Sequence, residues 1–449
     1  MCISHFQNCT DGAKGPPKPA APIVRCCPNF SALESQASTE VLIIGGGMAG
    51  LLCAYRLKEA GVSCVVAERA SIASGVTGNT TAKLTSQHGL IYSGLAKKFG
   101  LEAAGLYLKA NEDALSEYRA LCAKIPCDFE VQSHTVYSRQ DIRPLEAELA
   151  VLSRLGYPAE LIGSLPLPFP TAGGIRFPHQ AQFHPLKFLN GIVKDLTIFE
   201  NTPVVSLTKS GAVTEHGAIQ ANAVIVCTHF PFLNRHGSYF LKLYQQRSYV
   251  LALKNAPIPE GMLLDAQKNG LSFRHWGDTL LLGGGGHRTG KPGGGWAELE
   301  AFVQEHYPDA KIVSRWATQD CMSLDGLPYI GQYSASTPNL YVATGFNKWG
   351  MTTSMAAAQL LTDLVCGKEN PYASLFSPSR SMLRPQLGIN AAKATASLLT
   401  PSKKRCPHLG CALKWNPLER SWDCPCHGSR FSGDGTLLDN PSTGDLPKK

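Results

Sequence analysis

The sequence has no long hydrophobic run and a modest share of charge. No stretch of about 18 consecutive apolar residues occurs, so no membrane-spanning helix is predicted. The first thirty residues lack the apolar segment of a secretory signal peptide, and we therefore expect a cytoplasmic protein. Charged residues make up 17% of the chain, and the net charge of +8 forms no basic stripe of the kind that binds nucleic acid.

The composition is otherwise that of a globular protein. Hydrophobic residues make up 44% of the 449 residues, which excludes a largely disordered chain. At roughly 150 residues per domain, this length allows about three domains. Changes in composition predict an irregular arm at 1–37, a main unit at 38–370, a connector at 371–401 and a separate unit at 402–449.

A glycine-rich turn lies between a predicted strand and a predicted helix. Gly45, Gly47 and Gly50 follow the apolar run 41–44 and precede helical spacing over 48–60. Such a turn lets backbone N–H groups approach a pyrophosphate at the helix N-terminus. Glu68 ends the next apolar run, where a carboxylate accepts from ribose hydroxyls. The pattern predicts dinucleotide binding, the alternative being an ordinary α/β core, and it does not distinguish FAD from NAD.

Four of the 15 cysteines lie within a short region that also contains histidines. Cys406-x-His408 is followed, after 15 residues, by Cys424-x-x-His427. Two thiols and two imidazoles at this spacing predict one four-ligand metal site. Zinc accepts the same ligands, although Cys-x-His is shorter than the usual zinc knuckle. The other eleven cysteines are scattered and predicted to be small reduced residues.

Two further segments resemble the D-amino-acid oxidase and glycine oxidase superfamily. Residues 68–83 resemble its second FAD-contacting loop, and residues 325–352 resemble its C-terminal Asp-Gly-x-Pro signature. The resemblance covers about 38–370 and implies an α/β protein. Its Rossmann-type FAD-binding domain is expected to be interrupted by an inserted α+β substrate domain, which contains a mixed sheet. The implied FAD-binding parts are 38–90, 166–231 and 313–370, and the substrate-domain parts are 91–165 and 232–312. The implied FAD contacts are Gly45, Gly47, Gly50, Glu68, Arg69, Thr77, Thr80, Thr81, Gly345, Gly350, Met351 and Thr352.

One position departs from that superfamily. Related amino-acid oxidases carry an arginine that binds the substrate carboxylate, and the matching position in this chain is Asp320. A carboxylate there favours a cation, so we expect an amine-type substrate. In the alternative, Asp320 turns away or pairs with Arg315, and Arg274 or Arg288 sets the specificity.

No catalytic acid or base is expected, because the amine of the related oxidases is already deprotonated when it reacts. Four histidines are predicted to be hydrogen-bonded structural residues rather than bases: His88, His184, His229 and His287.

Residues 406–431 resemble the Rieske iron–sulfur proteins, in the subtype of the respiratory cytochrome bc complexes. The resemblance implies that Cys406 and Cys424 bind one iron of a [2Fe-2S] cluster, and that His408 and His427 bind the other. It also implies a small all-β subdomain. Because only 48 residues remain from Ser402, we expect this subdomain to dock on the flavin domain or on residues 370–401.

The same resemblance assigns roles around the cluster. It implies a disulfide between Cys411 and Cys426 and a hydrogen bond from Ser429 to a cluster sulfur. Phe431 stands where high-potential members have tyrosine, so a reduction potential below the top of the Rieske range is expected.

Together these features predict a FAD-dependent dehydrogenase that oxidises an amine-type small molecule. Electrons are expected to pass from FAD through the cluster to an acceptor, either a protein or a quinone. One alternative is a reductase working in the reverse direction, fed by a ferredoxin or NAD(P)H. The other is a redox sensor or electron-transfer module without a small substrate.

Overall fold

The computed structural model describes residues 27–268 and 270–447. Most of the predicted N-terminal arm, residues 1–26, therefore lies outside the described residues. The first strand begins at Gln36, two residues before the predicted start of the main unit.

The main unit contains both strands and helices, and short strands form the C-terminal unit. The strands are β1 (Gln36–Ile44), β2 (Cys64–Ala67), β3 (Lys83–Leu84), β4 (Glu130–Ser138), β5 (Glu160–Ile162), β6 (Gly173–Gln182), β7 (Thr197–Phe199), β8 (Val204–Thr208), β9 (Gly211–Thr214), β10 (Ala218–Val226), β11 (Leu243–Lys254), β12 (Met262–Asp265), β13 (Ser272–Trp276), β14 (Thr279–Arg288), β15 (Lys311–Ser323), β16 (Tyr329–Gln332), β17 (Leu340–Thr344), β18 (Lys414–Asn416), β19 (Ser421–Asp423), β20 (Arg430–Ser432) and β21 (Leu437–Asp439). The helices are α1 (Met48–Glu59), α2 (Tyr92–Phe99), α3 (Leu101–Cys122), α4 (Arg143–Arg154), α5 (Pro185–Ile192), α6 (Tyr239–Lys242), α7 (Gly295–His306), α8 (Gly350–Val365), α9 (Ala373–Phe376) and α10 (Pro385–Leu399).

The first sheet contains the glycine-rich turn. Its strand order is β16-β17-β10-β1-β2-β7, with β9 and β8 continuing from β10. The pairs from β17 to β7 are parallel, as expected where helices cover the sheet. Val41 and Ile43 point to the face covered by α1 and α8, and Leu42 and Ile44 belong to the core on the other face. Both faces of β1 are therefore buried, which explains its continuous apolar run.

The second sheet is mixed and has the order β15-β11-β14-β13-β12-β4-β6-β3, with β5 paired to β6. The pair of β12 with β4 is parallel, and the other pairs are antiparallel. The predicted domain boundaries differ from this arrangement. Residues 166–231 and 313–370, which contain β6 and most of β15, were predicted to be FAD-binding parts. Both strands lie in the second sheet, since each pairs with a strand of that sheet along most of its length.

The C-terminal unit is a four-stranded antiparallel sheet with the order β18-β19-β20-β21. The predicted connector contains α9 and α10. Its Arg380 forms two hydrogen bonds with Asp325, at 2.8 and 2.9 Å. These bonds attach the connector to the main unit between β15 and β16. The Ser397 hydroxyl of α10 donates to the carbonyl of Ala412 at 3.3 Å, so the C-terminal unit also packs against α10.

No helix among the described residues is long and apolar enough to cross a membrane. The expected cytoplasmic location stays a prediction.

Candidate active site and metal centre

The glycine-rich turn follows β1 and allows a close approach of three backbone segments. A Cβ atom on Gly45 would lie 2.6 Å from the carbonyl oxygen of Cys227, and one on Gly50 would lie 1.9 Å from that of Gly45. Gly45 also has a φ of +110°, which side chains rarely permit. Glycine is therefore required at both positions, and the N-terminus of α1 opens onto the turn.

The turn is stabilised by two predicted cofactor residues. Thr77 Oγ1 accepts a hydrogen bond from the N–H of Met48 at 3.0 Å, at the first residue of α1. Glu68 Oε2 accepts from the N–H of Gly46 at 2.7 Å. The Glu68 carboxylate thus lies beside the turn, at the end of β2, where the ribose of a dinucleotide is bound in such folds.

A cavity of about 560 Å³ begins at this turn and extends between the two sheets. This volume lies within the range of cofactor sites. Because glycine has no side chain, the turn leaves room for a pyrophosphate. Ten predicted FAD residues line it: Gly45, Gly47, Glu68, Arg69, Thr77, Thr80, Thr81, Gly345, Gly350 and Met351.

Two predicted FAD residues are absent from the cavity wall. Gly50 packs against the turn instead. The Thr352 hydroxyl donates to the carbonyl of Thr85 at 3.1 Å and lies 3.0 Å from His88 Nε2. Thr352 therefore supports neighbouring segments rather than facing the cofactor, because its position on α8 directs it toward the residues after β3.

Asp320 of β15 lines the cavity. Its Oδ2 accepts a hydrogen bond from the Ser248 hydroxyl at 2.8 Å, which orients the carboxylate. Arg315 pairs with Glu300 at 2.7 Å and not with Asp320. Arg274 is held by Gln182 and Phe183, and Arg288 by the C-terminal unit. Of the residues considered for specificity from the sequence, Asp320 is the one on the cavity wall.

Lys83 also lines the cavity, although no role was predicted for it. Its side chain is buried, and Nζ hydrogen-bonds Ser272 Oγ. Burial, together with the charge of Arg274, lowers the pKa of Lys83 to about 7. The only sequence signal for a buried lysine was its position between Ala82 and Leu84. Its burial depends on the pairing of β3 with β6, which the sequence does not show.

Three of the four histidines have structural roles, as expected. His88 Nδ1 lies 2.6 Å from the Tyr107 hydroxyl, and burial lowers the pKa of His88 to about 3, so it stays neutral. His184 accepts from Lys187 N at 3.4 Å at the start of α5, and His287 Nε2 lies 2.9 Å from the Tyr249 hydroxyl. His88 and His229 both line the cavity, but His229 differs because its buried Nε2 has no hydrogen-bond partner among the described residues.

The two cysteine–histidine loops come together at the edge of the small sheet. The Cys406 and Cys424 side chains are buried. The rings of His408 and His427 lie 4.9 Å apart between centroids and are nearly perpendicular. The loops thus bring the four predicted ligand residues to one buried place.

The imidazole nitrogens are arranged as in a metal site. The Nδ1 atoms of His408 and His427 are buried and have no hydrogen-bond partner within the described parts of the chain. His408 Nε2–H donates to Asn234 Oδ1 at 2.8 Å, which leaves Nδ1 unprotonated and able to bind a metal. The donor set of two thiolates and two neutral imidazoles fits a Rieske-type [2Fe-2S] cluster. The assignment of these four residues as ligands remains a prediction, which this geometry supports.

The residues predicted to influence the cluster are buried near the ligands, and their roles stay predictions. Ser429 is fully buried, its Oγ accepts a hydrogen bond from Ser442 N at 3.0 Å, and Phe431 is fully buried in the core of the small sheet. Cys411 and Cys426 are free cysteines whose Sγ atoms lie within 4.8 Å of each other. Their disulfide stays a prediction.

The small sheet docks on β11, β14 and β15 through buried polar contacts. Gln245 Nε2 donates to the carbonyl of His427 at 2.7 Å, and Gln319 Nε2 donates to that of Gly428 at 2.8 Å. Gly290 follows the glycine run of β14, and a Cβ there would lie 2.7 Å from the Cα of Pro425. Gly290 therefore serves the docking of the cluster loop, whereas Gly283, Gly284 and Gly286 of β14 line the cavity.

The C-terminal unit also completes the wall of the cavity. Leu438, Asp439, Asn440, Ser442 and Thr443 line the cavity that begins at the glycine-rich turn. The unit that carries the predicted cluster ligands therefore also forms part of the cavity wall.

Comparison with known proteins identifies both parts of the chain. The model of the FAD dependent oxidoreductase family matches residues 40–364, and the model of the Rieske [2Fe-2S] domain matches residues 398–448. The chain belongs to the FAD dependent oxidoreductase family. Its resemblance to this family and its α/β fold are thereby confirmed, and the chain is an FAD-dependent oxidoreductase with a Rieske iron–sulfur domain. FAD and a [2Fe-2S] cluster are its cofactors, so the zinc interpretation is wrong.

Individual relatives agree with this assignment. The chain is 34% identical to the Rieske 2Fe-2S iron-sulfur protein YhfW of Bacillus subtilis, over 92% of this chain and 94% of that protein. It is 26% identical to gamma-glutamylputrescine oxidoreductase of Escherichia coli, over 81% of this chain and 93% of that protein. Glycine oxidase from Geobacillus kaustophilus superposes with a TM-score of 0.65 at 21% identity, covering 77% of this chain and 100% of that one.

Proposed function

We propose that this oxidoreductase is a dehydrogenase that oxidises an amine in the flavin cavity and delivers the electrons through the Rieske cluster to an external one-electron acceptor. The acceptor is a redox protein or a quinone. The observation that carries the proposal is the shared wall, because Leu438, Asp439 and Asn440 belong to the Rieske domain and line the flavin cavity. A domain that carries one redox centre and lines the cavity of the other supports the proposal of electron transfer between them.

The chemistry balances with two electrons for each molecule of substrate. When bound, FAD accepts a hydride and the cluster accepts single electrons, so each amine becomes an imine with release of two protons, and the acceptor is reduced twice by one electron. The residues of the chain bind and orient the amine and exclude water from the cavity.

Asp320 supports an amine as the substrate class. A half-buried carboxylate on the wall stabilises an ammonium group and disfavours an anionic substrate. The Ser248 hydroxyl, 2.8 Å from Oδ2, holds the carboxylate in one orientation. The similarity to a protein named gamma-glutamylputrescine oxidoreductase points to the same class.

The proposal is tested by anaerobic reduction of the purified holoprotein with monoamines, diamines and amino acids, followed by the loss of flavin absorbance. We expect amines to reduce the flavin faster than zwitterionic amino acids of similar size. D320N should weaken that preference by about 1–3 kcal/mol. The matched control is D278N, which removes the charge of a side chain that is 80% exposed.

Several outcomes would contradict the proposal. Efficient reduction by a simple amino acid, or an unchanged preference in D320N, would show that Asp320 does not set the specificity. Flavin reduction by NAD(P)H or by a reduced ferredoxin, with none by any amine, would reverse the direction of electron flow. A protein that no small molecule reduces would be an electron-transfer or sensor module.

A further inference from the structure

We infer that the segment Thr228–Phe230, called the junction segment below, is the electron-transfer connection between the flavin cavity and the cluster. Within this segment, Phe230 is the residue that contacts the predicted cluster ligands. This inference rests on the proposed function. It concerns the step in which one electron leaves the reduced flavin and one ferric iron of the cluster becomes ferrous.

The fold places the start of the junction segment beside the flavin. Strand β10 pairs with β1 in parallel, so both strands end at the same edge of the first sheet. The carbonyl of Cys227 therefore lies against the glycine-rich turn, 2.6 Å from where a Cβ of Gly45 would be. Thr228 and His229, the next two residues, line the flavin cavity.

The end of the junction segment contacts the cluster ligands. Phe230 is fully buried, and its ring meets the ring of His408 at 6.4 Å and that of His427 at 6.2 Å between centroids. Both contacts are edge-on. One residue after the cavity wall, the chain thus touches both imidazoles predicted to bind the cluster.

The Rieske domain holds the junction segment in place. Asn440 Nδ2 donates to the carbonyl of Thr228 and, at 2.9 Å, to that of Phe230. Asn440 itself lines the cavity. His229, between the two carbonyls, adopts a φ of +65°, a left-handed conformation that a non-glycine residue keeps only where its surroundings enforce it. The segment is therefore a fixed contact, built from both domains.

A second phenylalanine provides a matched control. The ring of Phe240 on α6 meets His427 edge-on at 6.4 Å, nearly the same distance as Phe230. Phe240 is absent from the wall of the flavin cavity and is ten residues away along the chain. A change at Phe240 removes an equivalent contact with a ligand but leaves the junction segment intact.

The test measures the rate of electron transfer from photochemically reduced flavin to the cluster in the wild type, F230L and F240L. FAD content, both reduction potentials and the electron paramagnetic resonance spectrum are measured for each variant. We expect unchanged potentials and spectra, and a transfer rate about tenfold lower in F230L than in F240L. Equal rates in the two variants would overturn the inference. If the wild type transfers no electron at all, the proposed function fails instead.

N440D keeps the inference testable if F230L loses its cluster. An aspartate carboxylate cannot donate to the two carbonyls of the junction segment, so transfer should slow in protein that retains FAD and cluster. A wild-type rate in N440D would overturn the inference.

Discussion

Loss of the charge on Glu419 should weaken the docking of the Rieske domain. Glu419 is 9% exposed and lies between Arg247 of β11, which is 4% exposed, and Arg430 of β20. Its Oε1 accepts from Arg247 Nε at 2.9 Å and from the Tyr249 hydroxyl at 3.0 Å, and its Oε2 accepts from Arg430 at 2.8 Å. The perturbation we consider is E419Q, which keeps the shape and removes the charge.

The magnitude follows from what each arginine keeps. Arg430 retains Asp423 at 3.1 Å and Asp439 at 2.9 Å, whereas Arg247 retains only Asp439, at 3.8 Å. Arg247 thus becomes a buried charge with one distant partner. Breaking a buried pair in this way costs about 3–5 kcal/mol, and we expect about 3 kcal/mol because glutamine keeps part of the hydrogen bonding.

The assay is urea unfolding of the holoprotein, followed by the visible signal of the cluster and by flavin fluorescence. The cluster transition should move to lower urea in E419Q. The control is E160Q. Glu160 forms an ion pair with Arg176 in which the side chains are 49% and 38% exposed, so the effect of E160Q should stay within about 1 kcal/mol. Equal shifts in the two variants would refute the reasoning, since they would show that the Glu419 pair contributes no more than a surface pair.

The pH dependence gives an independent check on Glu419. Burial raises its pKa, but the charges of Arg247 and Arg430 lower it by more, so the folded pKa lies below the usual value of 4.5. The stability that Glu419 contributes is therefore complete above pH 4.5 and is lost as the pH falls through the folded pKa. E419Q should remove this loss.

Three further predictions concern the cluster and the cavity. H408A and H427A should each lose the iron and acid-labile sulfide, about two of each per chain, while retaining FAD, as elemental and flavin analysis can show; one zinc and no sulfide in the parent would contradict this. Cys411 and Cys426 should be disulfide-bonded in the cluster-loaded protein. Alkylation of both thiols without prior reduction, detected by mass spectrometry, would refute this prediction. In FAD-free protein the pKa of Lys83 is about 7 against an ordinary 10.5, so the free energy of unfolding should rise between those pH values. K83M should abolish that rise and stabilise the protein at pH 6 by about 5 kcal/mol, and a parallel pH profile in K83M would contradict the burial.

The sequence identified the features that depend on local geometry. The glycines of the turn are required because a side chain at Gly50 would overlap the carbonyl of Gly45, five residues away. The four predicted cluster ligands lie within 22 residues, so their spacing alone indicates the site. Docking of the small unit on the flavin domain or on residues 370–401 was also expected, because so short a segment cannot bury a core.

Features that depend on distant pairing were not predictable. Residues 173–182 and 313–323 were predicted to belong to the FAD-binding parts, whereas β6 and β15 pair within the second sheet, because alternating polarity does not show which strand is the neighbour. The burial of Lys83 depends on Ser272, 189 positions away, and the role of Gly290 depends on Pro425. Thr352 was expected to face the cofactor, but the rotation of α8 relative to β3 decides that it contacts Thr85.

The most direct test of the account is the number of electrons that one amine substrate delivers to the protein. With FAD accepting two electrons and the cluster one, complete anaerobic reduction should need about 1.5 equivalents of a two-electron substrate, and the cluster signal should appear together with flavin bleaching. An end point at about one equivalent with an oxidised cluster would show that the flavin does not pass electrons to the cluster.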